Sequence, residues 1–273
     1  MTGPAGDPVL VLDGARYWYA GSRDPALDGA SVQVAPGEVV AVVGPNGSGK
    51  TSLCLVAAGL APQAIGGRLE GTVTVGTSAT RDLRPHELAA RVGILFQNPD
   101  TQLSGTAPTV WEEVAFGPRN LGLPMPEVAH RVDEALSVLQ LWPLGPRDPQ
   151  RLSGGQGQLI ALASVMALRP SVLVLDEPTS QLDPVGTRLV GEAIARLAAT
   201  GAAVLVTEHK TDLLLEVAQR AVLLRAGRVA ASGSLPGILD QADGSQLGVE
   251  LPARMRVVRA LQAAGLDPGV LPR

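Results

Sequence analysis

The segment VVGPNGSGKTS, from Val42 to Ser52, restricts the fold of this 273-residue chain more than any other part of it. It contains three glycines and the first of the chain's two lysines, Lys50. Glycine lets main-chain N–H groups converge on an anion where a Cβ atom would obstruct them or require a costly φ. The lysine places a positive charge beside that bare backbone. The segment therefore predicts a pocket for phosphate.

The spacing supports this prediction, because Gly44, Gly49, Lys50 and Thr51 satisfy the pattern G-x-x-x-x-G-K-[ST]. In that pattern the lysine reaches the β- and γ-phosphates of a nucleotide, and the last hydroxyl group ligates Mg²⁺. The alternative is that the glycine-rich segment is only a flexible turn. However, the apolar run before it predicts a buried strand and the residues after it predict a helix, which is the setting that a phosphate-binding loop requires. The expected nucleotide-binding residues are Gly44, Pro45, Asn46, Gly47, Ser48, Gly49, Lys50, Thr51 and Ser52.

The charge and the hydropathy pattern restrict the partners. A net charge of −4 and an isoelectric point near 5.4 provide no electrostatic basis for wrapping nucleic acid, so nucleic acid is not an expected partner. The N-terminus lacks a secretory signal, and the longest apolar segment, Leu159 to Leu168, is much shorter than a membrane span. We therefore expect a cytoplasmic protein in which Cys54, the single cysteine, is a small buried residue.

The sequence pattern changes character along the chain. Residues 1–97 are mostly predicted strands with glycine turns, including two separate strands at 9–12 and 15–19. Residues 99–168 have helical periodicity. From residue 171 onward short β-branched runs alternate with helical ones, which predicts a parallel sheet. We assign residues 1–235 to one α/β domain that contains a helical subdomain at about 99–168. Residues 236–273 are assigned to a C-terminal extension with an amphipathic helix predicted at roughly 252–264.

The run SVLVLDE ends at Glu177 and predicts an apolar strand followed by two adjacent acids. Successive strand residues point to opposite sides, so the two carboxylates are expected to have different roles. Asp176 is placed to hold Mg²⁺, directly or through water, and Glu177 to orient and deprotonate an attacking water. The alternative is a strand that simply ends in an Asp-Glu-Pro turn.

Two more polar residues follow predicted strands. Gln97 comes directly after the predicted strand 92–96, where its amide is able to reach Mg²⁺ or the attacking water. His209 follows the predicted strand 203–207, at the strand end where ligands gather in open α/β sheets. An ordinary strand-end amide and a structural histidine are the alternatives. The preferred hypothesis is that His209 donates a hydrogen bond to the γ-phosphate.

The stretch LSGGQ, which ends at Gln156, predicts a second anion-binding site at the start of a helix. Ser153 is a good N-cap, Gly154 and Gly155 expose their N–H groups, and the helix dipole adds positive potential. The first glycine loop already cradles the phosphates. A second phosphate-binding helix end therefore predicts a nucleotide held between two subunits.

At these residues the sequence resembles the nucleotide-binding subunits of ATP-binding cassette (ABC) transporters, over roughly residues 9–235. GPNGSGKT is similar to Walker A, VLVLDE to Walker B and LSGGQ to the signature. Gln97 corresponds to the Q-loop, His209 to the switch histidine, and the stretch SQLD, which ends at Asp183, to the D-loop. The resemblance implies an α/β P-loop NTPase core of the ABC type with an antiparallel β subdomain, an inserted α-helical subdomain and a short C-terminal extension.

The resemblance also implies a Mg²⁺-dependent ATPase. The implied catalytic residues are Lys50, Gln97, Glu177 and His209. The implied Mg²⁺ ligands are Thr51, Gln97 and Asp176. The signature residues Ser153, Gly154, Gly155 and Gln156 would act in trans, on the nucleotide of the other subunit. Adenine is expected to stack on Tyr19, although Tyr17 or Trp18 could substitute. One departure from the family is Leu159, which stands where the family usually has arginine.

A narrower resemblance lies in FQNPDTQL (96–103), VAFGPRNL (114–121) and LGVELP (247–252), which look like the energy-coupling factor (ECF) ATPases. That family powers the uptake of vitamins or of cobalt and nickel. The resemblance implies a second ATPase subunit as partner, a C-terminal extension that contributes to the dimer contact, and integral-membrane transport subunits. The protein would then be peripheral on the inner face of the cell membrane. A homodimer and a paralogous heterodimer both remain open.

Two other classes of function are alternatives. A non-transport ABC ATPase that acts on DNA or ribosomes usually has a long coiled coil between Walker A and the signature, or two cassettes in one chain. Here one compact insert separates Lys50 from Ser153. A nucleotide-binding regulatory module would have no need of a carboxylate at Glu177.

Within the insert, the segment from Pro99 to Gly122 is expected to form the groove that receives a membrane subunit.

Overall fold

The computed structural model describes residues 7–241 and 251–264. The strands are β1 (Leu10–Trp18), β2 (Leu27–Val34), β3 (Val39–Val43), β4 (Arg68–Val75), β5 (Ser78–Ala79), β6 (Val92–Leu95), β7 (Val172–Asp176), β8 (Ala203–Thr207), β9 (Arg220–Arg225) and β10 (Arg228–Gly233). The helices are α1 (Lys50–Ala57), α2 (Pro85–Ala89), α3 (Val110–Asn120), α4 (Met125–Val138), α5 (Gly154–Leu168), α6 (Pro184–Ala199), α7 (Thr211–Val217), α8 (Leu235–Gln241) and α9 (Ala253–Ala263).

The larger sheet has six strands in the order β10-β9-β3-β8-β7-β6. All of its neighbouring pairs are parallel except β10 with β9. Every residue of β3, β7 and β8 is buried, because both faces of the sheet are covered. Helices α3 to α6 pack on one face, and α1 packs on the other together with β1 and β2. The parallel order brings the carboxyl ends of β3, β6, β7 and β8 to one edge. The predicted parallel sheet is confirmed.

The smaller sheet is antiparallel and has the strand order β2-β1-β4-β5. The sequence predicts two separate strands at 9–12 and 15–19, and this prediction is wrong, because β1 is continuous. The register of β1 with β2 shifts between Leu12 and Ala15, and Gly14 has a φ of +58°. A bulge at Gly14 therefore absorbs the irregularity that looked like a break in the sequence.

The inserted helical subdomain consists of α3, α4 and α5 between β6 and β7. Helix α5 is apolar on almost every side, and Ile160 and Leu162 are completely buried in the core that the helices share with the large sheet. Leu159 packs in the same core, so the position at which the family usually has arginine is a buried apolar contact here. In the two described ranges, no helix is long and apolar enough to cross a membrane.

The predicted C-terminal extension, 236–273, is described at residues 236–241 and 251–264, and its remaining parts, including most of LGVELP, lie outside the described residues. Helix α9 agrees closely with the helix predicted at 252–264. Leu251 and Met255 pack against the main core, and the N–H group of Ala253 donates to the carboxylate of Asp212. The guanidinium of Arg259 donates to the carbonyl oxygen of Leu239 in α8 at 3.0 Å. The extension is thus anchored on the α/β core.

Candidate nucleotide-binding site

The glycine loop between β3 and α1 requires glycine for two different reasons. Gly49 has a φ of +103°, in the left-handed region that disfavours other residues. A Cβ atom on Gly49 would also lie 2.5 Å from the carbonyl oxygen of Ala26, and one on Gly44 would collide with the carbonyl oxygen of Leu224. The loop is therefore closely packed against neighbouring backbone, which fixes the direction of its N–H groups.

Lys50 is the first residue of α1 and only 6% exposed. Its Nζ atom donates to the carbonyl oxygens of Gly44 at 2.9 Å and Pro45 at 3.3 Å. Burial lowers the pKa of the Lys50 ammonium group, and the carboxylates of Glu177 and Asp176 oppose that shift. The lysine is thus a cation held beside the loop by short contacts that a phosphate oxygen is able to replace.

The two adjacent acids after β7 differ in environment, as their alternation predicts. Asp176 is 3% exposed, and its carboxylate accepts a hydrogen bond from Oγ1 of Thr207 at 2.7 Å. Glu177 has a φ of +50°, a conformation that costs on the order of 1–3 kcal/mol for a residue other than glycine. Its N–H group donates to the carbonyl oxygen of Thr207 at 3.1 Å. Neighbouring strand β8 therefore holds both acids in place.

Gln97 and His209 meet at the carboxylate of Glu177. The Nε2 atom of Gln97 donates to one carboxylate oxygen at 2.7 Å, and Nε2 of His209 lies 3.0 Å from the other. Gln97 lies 80 positions before Glu177 and His209 lies 32 positions after it, yet the three side chains form one cluster. The parallel sheet explains the cluster, because all three residues follow the carboxyl ends of β6, β7 and β8.

A single cleft of about 550 Å³ brings most of the predicted residues together. It is lined by Ala26, Asn46, Gly47, Gly49, Lys50, Thr51, Ser52, Gln97, Glu177 and His209. Asp176 lies directly behind this lining and is buried. The predicted residues Gly44, Pro45, Ser48 and Tyr19 do not line the cleft, although the first three belong to the loop that forms its wall.

The oxygen atoms around the cleft suit Mg²⁺. The hydroxyl of Thr51, the amide oxygen of Gln97 and the carboxylate of Asp176 are hard donors of the type that this ion prefers. Across the described ranges there is no cluster of three or more His, Cys, Asp or Glu side chains that could hold a metal ion without help. The donor set therefore fits an ion that is bound largely by nucleotide phosphates and water, as Mg²⁺ usually is.

The three aromatic candidates for adenine stacking have different environments. Tyr17 is fully buried and its hydroxyl donates to the carbonyl oxygen of Gly66 at 2.7 Å, so neither face of its ring is accessible. The ring of Trp18 is covered by the guanidinium of Arg68 at 4.1 Å. Tyr19 is half-buried, and its hydroxyl lies 3.0 Å from Oγ of Ser52. Of the three, Tyr19 is the residue in direct contact with the phosphate loop.

The signature residues lie outside this cleft. Ser153 caps α5: its Oγ accepts the N–H of Gln156 at 3.3 Å, and the Gln156 side chain accepts the N–H of Ser153 at 3.2 Å. A Cβ atom on Gly154 would collide with the side chain of Gln181. The D-loop therefore packs directly against the signature glycines, and its last residue, Asp183, caps α6 by accepting the N–H of Gly186 at 2.7 Å.

Sequence reasoning missed three polar residues around His209. Thr207 binds Asp176 and Glu177, while Glu208 and Lys210 bind the segment from Thr179 to Leu182. Glu208 is almost fully buried. The available signal was a run of four polar residues, TEHK, at the end of an apolar strand, where only the histidine was singled out.

The family model and the similar proteins all point to one family. The family model described as ABC transporter matches residues 27–180. A putative ABC transporter ATP-binding protein of Pyrococcus horikoshii is 43% identical over 178 residues, which are 65% of this chain and 62% of that protein. The energy-coupling factor transporter ATP-binding protein EcfA1 of Lacticaseibacillus paracasei is 42% identical over 190 residues, which are 69% of this chain and 66% of that protein. The chain thus spans somewhat less than two thirds of the length of these relatives.

Two solved structures have the same fold. The structure of cbiO1 from Clostridium perfringens, described as part of the ABC transporter complex cbiONQ, has a TM-score of 0.76 at 27% identity and covers 95% of this chain and 98% of its own. The dimeric ATP-binding cassette MJ0796, in a post-hydrolysis state bound to ADP and Pi, has a TM-score of 0.72 at 25% identity and covers 83% of this chain and 98% of its own. The expected fold class is confirmed.

Proposed function

The chain belongs to the ABC transporter family of ATP-binding domains, and from this premise we propose that it is the ATP-hydrolysing subunit of an ABC importer of the ECF type. The observation that supports hydrolysis most directly is the convergence of Gln97 and His209 on the carboxylate of Glu177. These side chains line the same cleft as Lys50. A carboxylate held in this way beside a phosphate-binding loop suits a reaction in which water attacks the γ-phosphate.

In the proposed complex, the phosphates of ATP lie against the N–H groups of the glycine loop. Lys50 exchanges its contacts with the carbonyl oxygens of Gly44 and Pro45 for contacts with the β- and γ-phosphates. Thr51, Gln97 and Asp176 would hold Mg²⁺, which when bound neutralises charge on the phosphate oxygens. Catalysis of phosphoryl transfer depends on such positioning and charge neutralisation more than on covalent chemistry.

Glu177 acts as the base in this mechanism. It orients the attacking water and accepts its proton at a carboxylate oxygen, while Gln97 holds the water on the other side. His209 donates a hydrogen bond to the γ-phosphate from the same ring nitrogen that lies 3.0 Å from Glu177 in this structure. Binding of ATP would therefore draw Gln97 and His209 away from the carboxylate and free its oxygens for the water.

The test of the proposed function is ATP hydrolysis by the chain assembled with its membrane subunits. Mg²⁺ should be necessary, because the negative charge on the phosphate oxygens needs a counter-ion for phosphoryl transfer. Phosphate release from ATP should be measured with Mg²⁺ and with excess EDTA. We expect release only with Mg²⁺. Equal release in both samples, or none in either, would contradict the proposal.

We propose that two chains bind two ATP molecules between them. The signature helix end offers a second anion site that lies outside the cleft of its own chain, and a partner's nucleotide would satisfy it. The similar cassette MJ0796 is described as a dimer. Either a second copy or a paralogous subunit satisfies this arrangement. Helix α9 leaves Val257 exposed and would add to the contact between the two subunits.

The transported substrate would be a vitamin or a transition-metal ion. This part of the proposal is supported by the similarity to EcfA1 and to cbiO1, whose names refer to the energy-coupling factor transporter and to the ABC transporter complex cbiONQ. Contacts with the substrate would be made by other chains. The protein would lie on the inner face of the cell membrane, attached through its membrane subunits.

The surface of the helical subdomain supports a docking site for those subunits. A groove of about 570 Å³ is lined by Thr109, Trp111, Glu112, Arg119, Met125, Trp142, Gly145 and Pro146. Met125 is 51% and Trp142 is 47% exposed, although residues of this type are usually buried. Large apolar side chains beside charged ones at a rim are typical of the anchors of protein interfaces. We propose that a cytoplasmic helix of a membrane subunit lies in this groove.

Replacing Glu112 and Arg119 together by alanine should release the membrane partner or uncouple uptake from hydrolysis. Both residues lie on α3 at the rim of the groove, and neither belongs to the nucleotide site. Uptake should be measured in vesicles, and ATP affinity on the isolated subunit, where no change is expected. The matched control replaces Arg81 and Asp82, an exposed ion pair outside the helical subdomain. Normal transport by the Glu112 and Arg119 variant, with crosslinks to residues 233–273 instead, would contradict this docking site.

A further inference from the structure

Lys210, the second lysine of the chain, makes contacts unlike those of a surface residue. Its Nζ atom donates to the carbonyl oxygens of Thr179 at 2.9 Å and Leu182 at 3.1 Å, and lies 3.3 Å from Oγ1 of Thr187 in α6. An ammonium group has three N–H donors, so these three acceptors satisfy it completely. Lys210 directly follows the switch histidine, and its ammonium group therefore binds both ends of the 179–182 segment.

Glu208, on the other side of the switch histidine, holds the same segment. One of its carboxylate oxygens accepts the N–H of Thr179 at 3.1 Å and the hydroxyl of Thr179 at 2.7 Å. The other accepts the N–H of His209 at 2.9 Å. The carboxylate is 2% exposed, and a buried charge of this kind persists only when it is fully hydrogen-bonded. Glu208 and Lys210 thus bracket His209 and bind one loop.

That loop connects two parts of the ATPase that act on different nucleotides in the proposed dimer. It begins at Glu177, whose carboxylate lies 3.0 Å from Nε2 of His209. Its middle packs against the signature, because a Cβ atom on Gly155 would lie 3.1 Å from the carbonyl oxygen of Gln181. It ends at Asp183, the N-cap of α6. A shift of this loop would therefore displace the base and the signature helix end together.

We propose that Lys210 is a positioning residue for hydrolysis: its ammonium group holds the 179–182 segment so that Glu177 and His209 keep their alignment while the signature glycines keep their support. The inference rests on the proposed ATPase function. Lys210 does not line the cleft, and its three donors are taken up by the loop and by α6, so its effect is exerted through the loop. Loss of the ammonium group should slow the chemical step and leave ATP binding at the glycine loop intact.

The first test compares K210M with K210C before and after alkylation by bromoethylamine. Methionine keeps an unbranched apolar side chain and removes the three donors, and alkylation converts the introduced cysteine into a close analogue of lysine. The native Cys54 is completely buried, and treated wild-type protein controls for its modification. In K210M and in K210C before alkylation, we expect kcat to fall about tenfold and KM for ATP to change less than about twofold. Alkylation of K210C should restore most of kcat. R188M removes an exposed cation from nearby α6 and should have no effect.

The second measurement separates this inference from the proposed function. Hydrogen exchange in residues 178–183 should increase in K210M and not in R188M, with exchange in the glycine loop unchanged, whether or not the wild-type chain hydrolyses ATP. Unchanged exchange together with wild-type kcat in K210M would overturn the inference. A parallel loss of ATP binding and melting temperature would also overturn it, because it would show a general structural role. Absence of hydrolysis in the wild-type complex would instead overturn the ATPase proposal.

Discussion

Replacing Lys50 by alanine is expected to abolish ATP hydrolysis. Among the residues that line the cleft, Lys50 provides a fixed cation, and it donates to two carbonyl oxygens of the loop. Alanine has neither the charge nor the side-chain donors. Removing a preorganised positive charge from a developing phosphoryl transition state costs about a hundredfold or more in rate. Phosphate release by the purified protein with Mg²⁺ and ATP is the measurement.

The variant K50M separates the charge of this lysine from its packing, because methionine retains the apolar stem that is buried at the start of α1. Both variants should have the same low rate, and K50M should also keep a melting temperature close to that of the wild type. The control R81A removes an exposed cation that does not line the cleft and should keep full activity. Full activity in K50M would show that the loop does not bind the phosphates in the way proposed.

The glycine loop and the parallel sheet could be predicted from the sequence because their signals are local. The loop pattern spans a few residues, and the fully buried strands are apolar throughout in β3 and up to the last residue in β7 and β8. Gln97, Glu177 and His209 were each placed at the end of a strand. Their meeting follows from one further fact, that parallel strands end at the same edge of the sheet.

The contacts of Lys210 and Glu208 could not be predicted in the same way. Each bonds to residues about 30 positions earlier, across two neighbouring strands, and the sequence does not specify that β7 and β8 are adjacent. A lysine after a histidine in a polar stretch is typical of a solvent-exposed residue. The bulge at Gly14 was missed for a related reason, since a glycine inside an alternating pattern indicates either a bulge or a break.

The three aromatic residues near the start of the chain illustrate a third limit. Tyr17, Trp18 and Tyr19 are consecutive, and alternation along a strand predicts that the first and third lie on the same face. Both do pack against the same core, and their rings meet edge to face at 4.9 Å. The two tyrosines differ in accessibility because β1 ends at Trp18. Tyr19 lies just beyond the strand, where its hydroxyl contacts Ser52. The role of Tyr19 in adenine binding stays a prediction.

Replacing Glu177 by glutamine is expected to stop turnover while ATP still binds and the two subunits stay together. Glutamine has nearly the same shape as glutamate and is not a base at neutral pH. Its amide oxygen is able to accept the hydrogen bond from Gln97, and its amide group to donate to Nε2 of His209 when that ring carries its proton on Nδ1. Both contacts seen in the structure are therefore retained, and the change is confined to proton acceptance.

The expected phenotype is a stable dimer with ATP bound. In the proposed cycle of the wild type, hydrolysis would remove the γ-phosphate that the glycine loop of one chain and the signature of the other share, and the subunits would then separate. Without the base this event is slowed by orders of magnitude, so the sandwiched state accumulates. Size-exclusion chromatography with Mg²⁺ and ATP should show a dimer for E177Q and a mixture for the wild type, while phosphate release by the variant falls by about a hundredfold or more.

Two comparisons make this experiment specific to the base. The variant E192Q makes the same chemical change at an exposed glutamate on α6, which forms only a long ion pair with Arg188, and it should behave like the wild type. Combining E177Q with K50A should remove the dimer, because the phosphates that join the two chains would no longer be held. A monomeric E177Q protein with normal hydrolysis would show that another group accepts the proton. A dimer that persists in the double variant would show that contacts such as those of α9, and not the shared nucleotide, hold the subunits together.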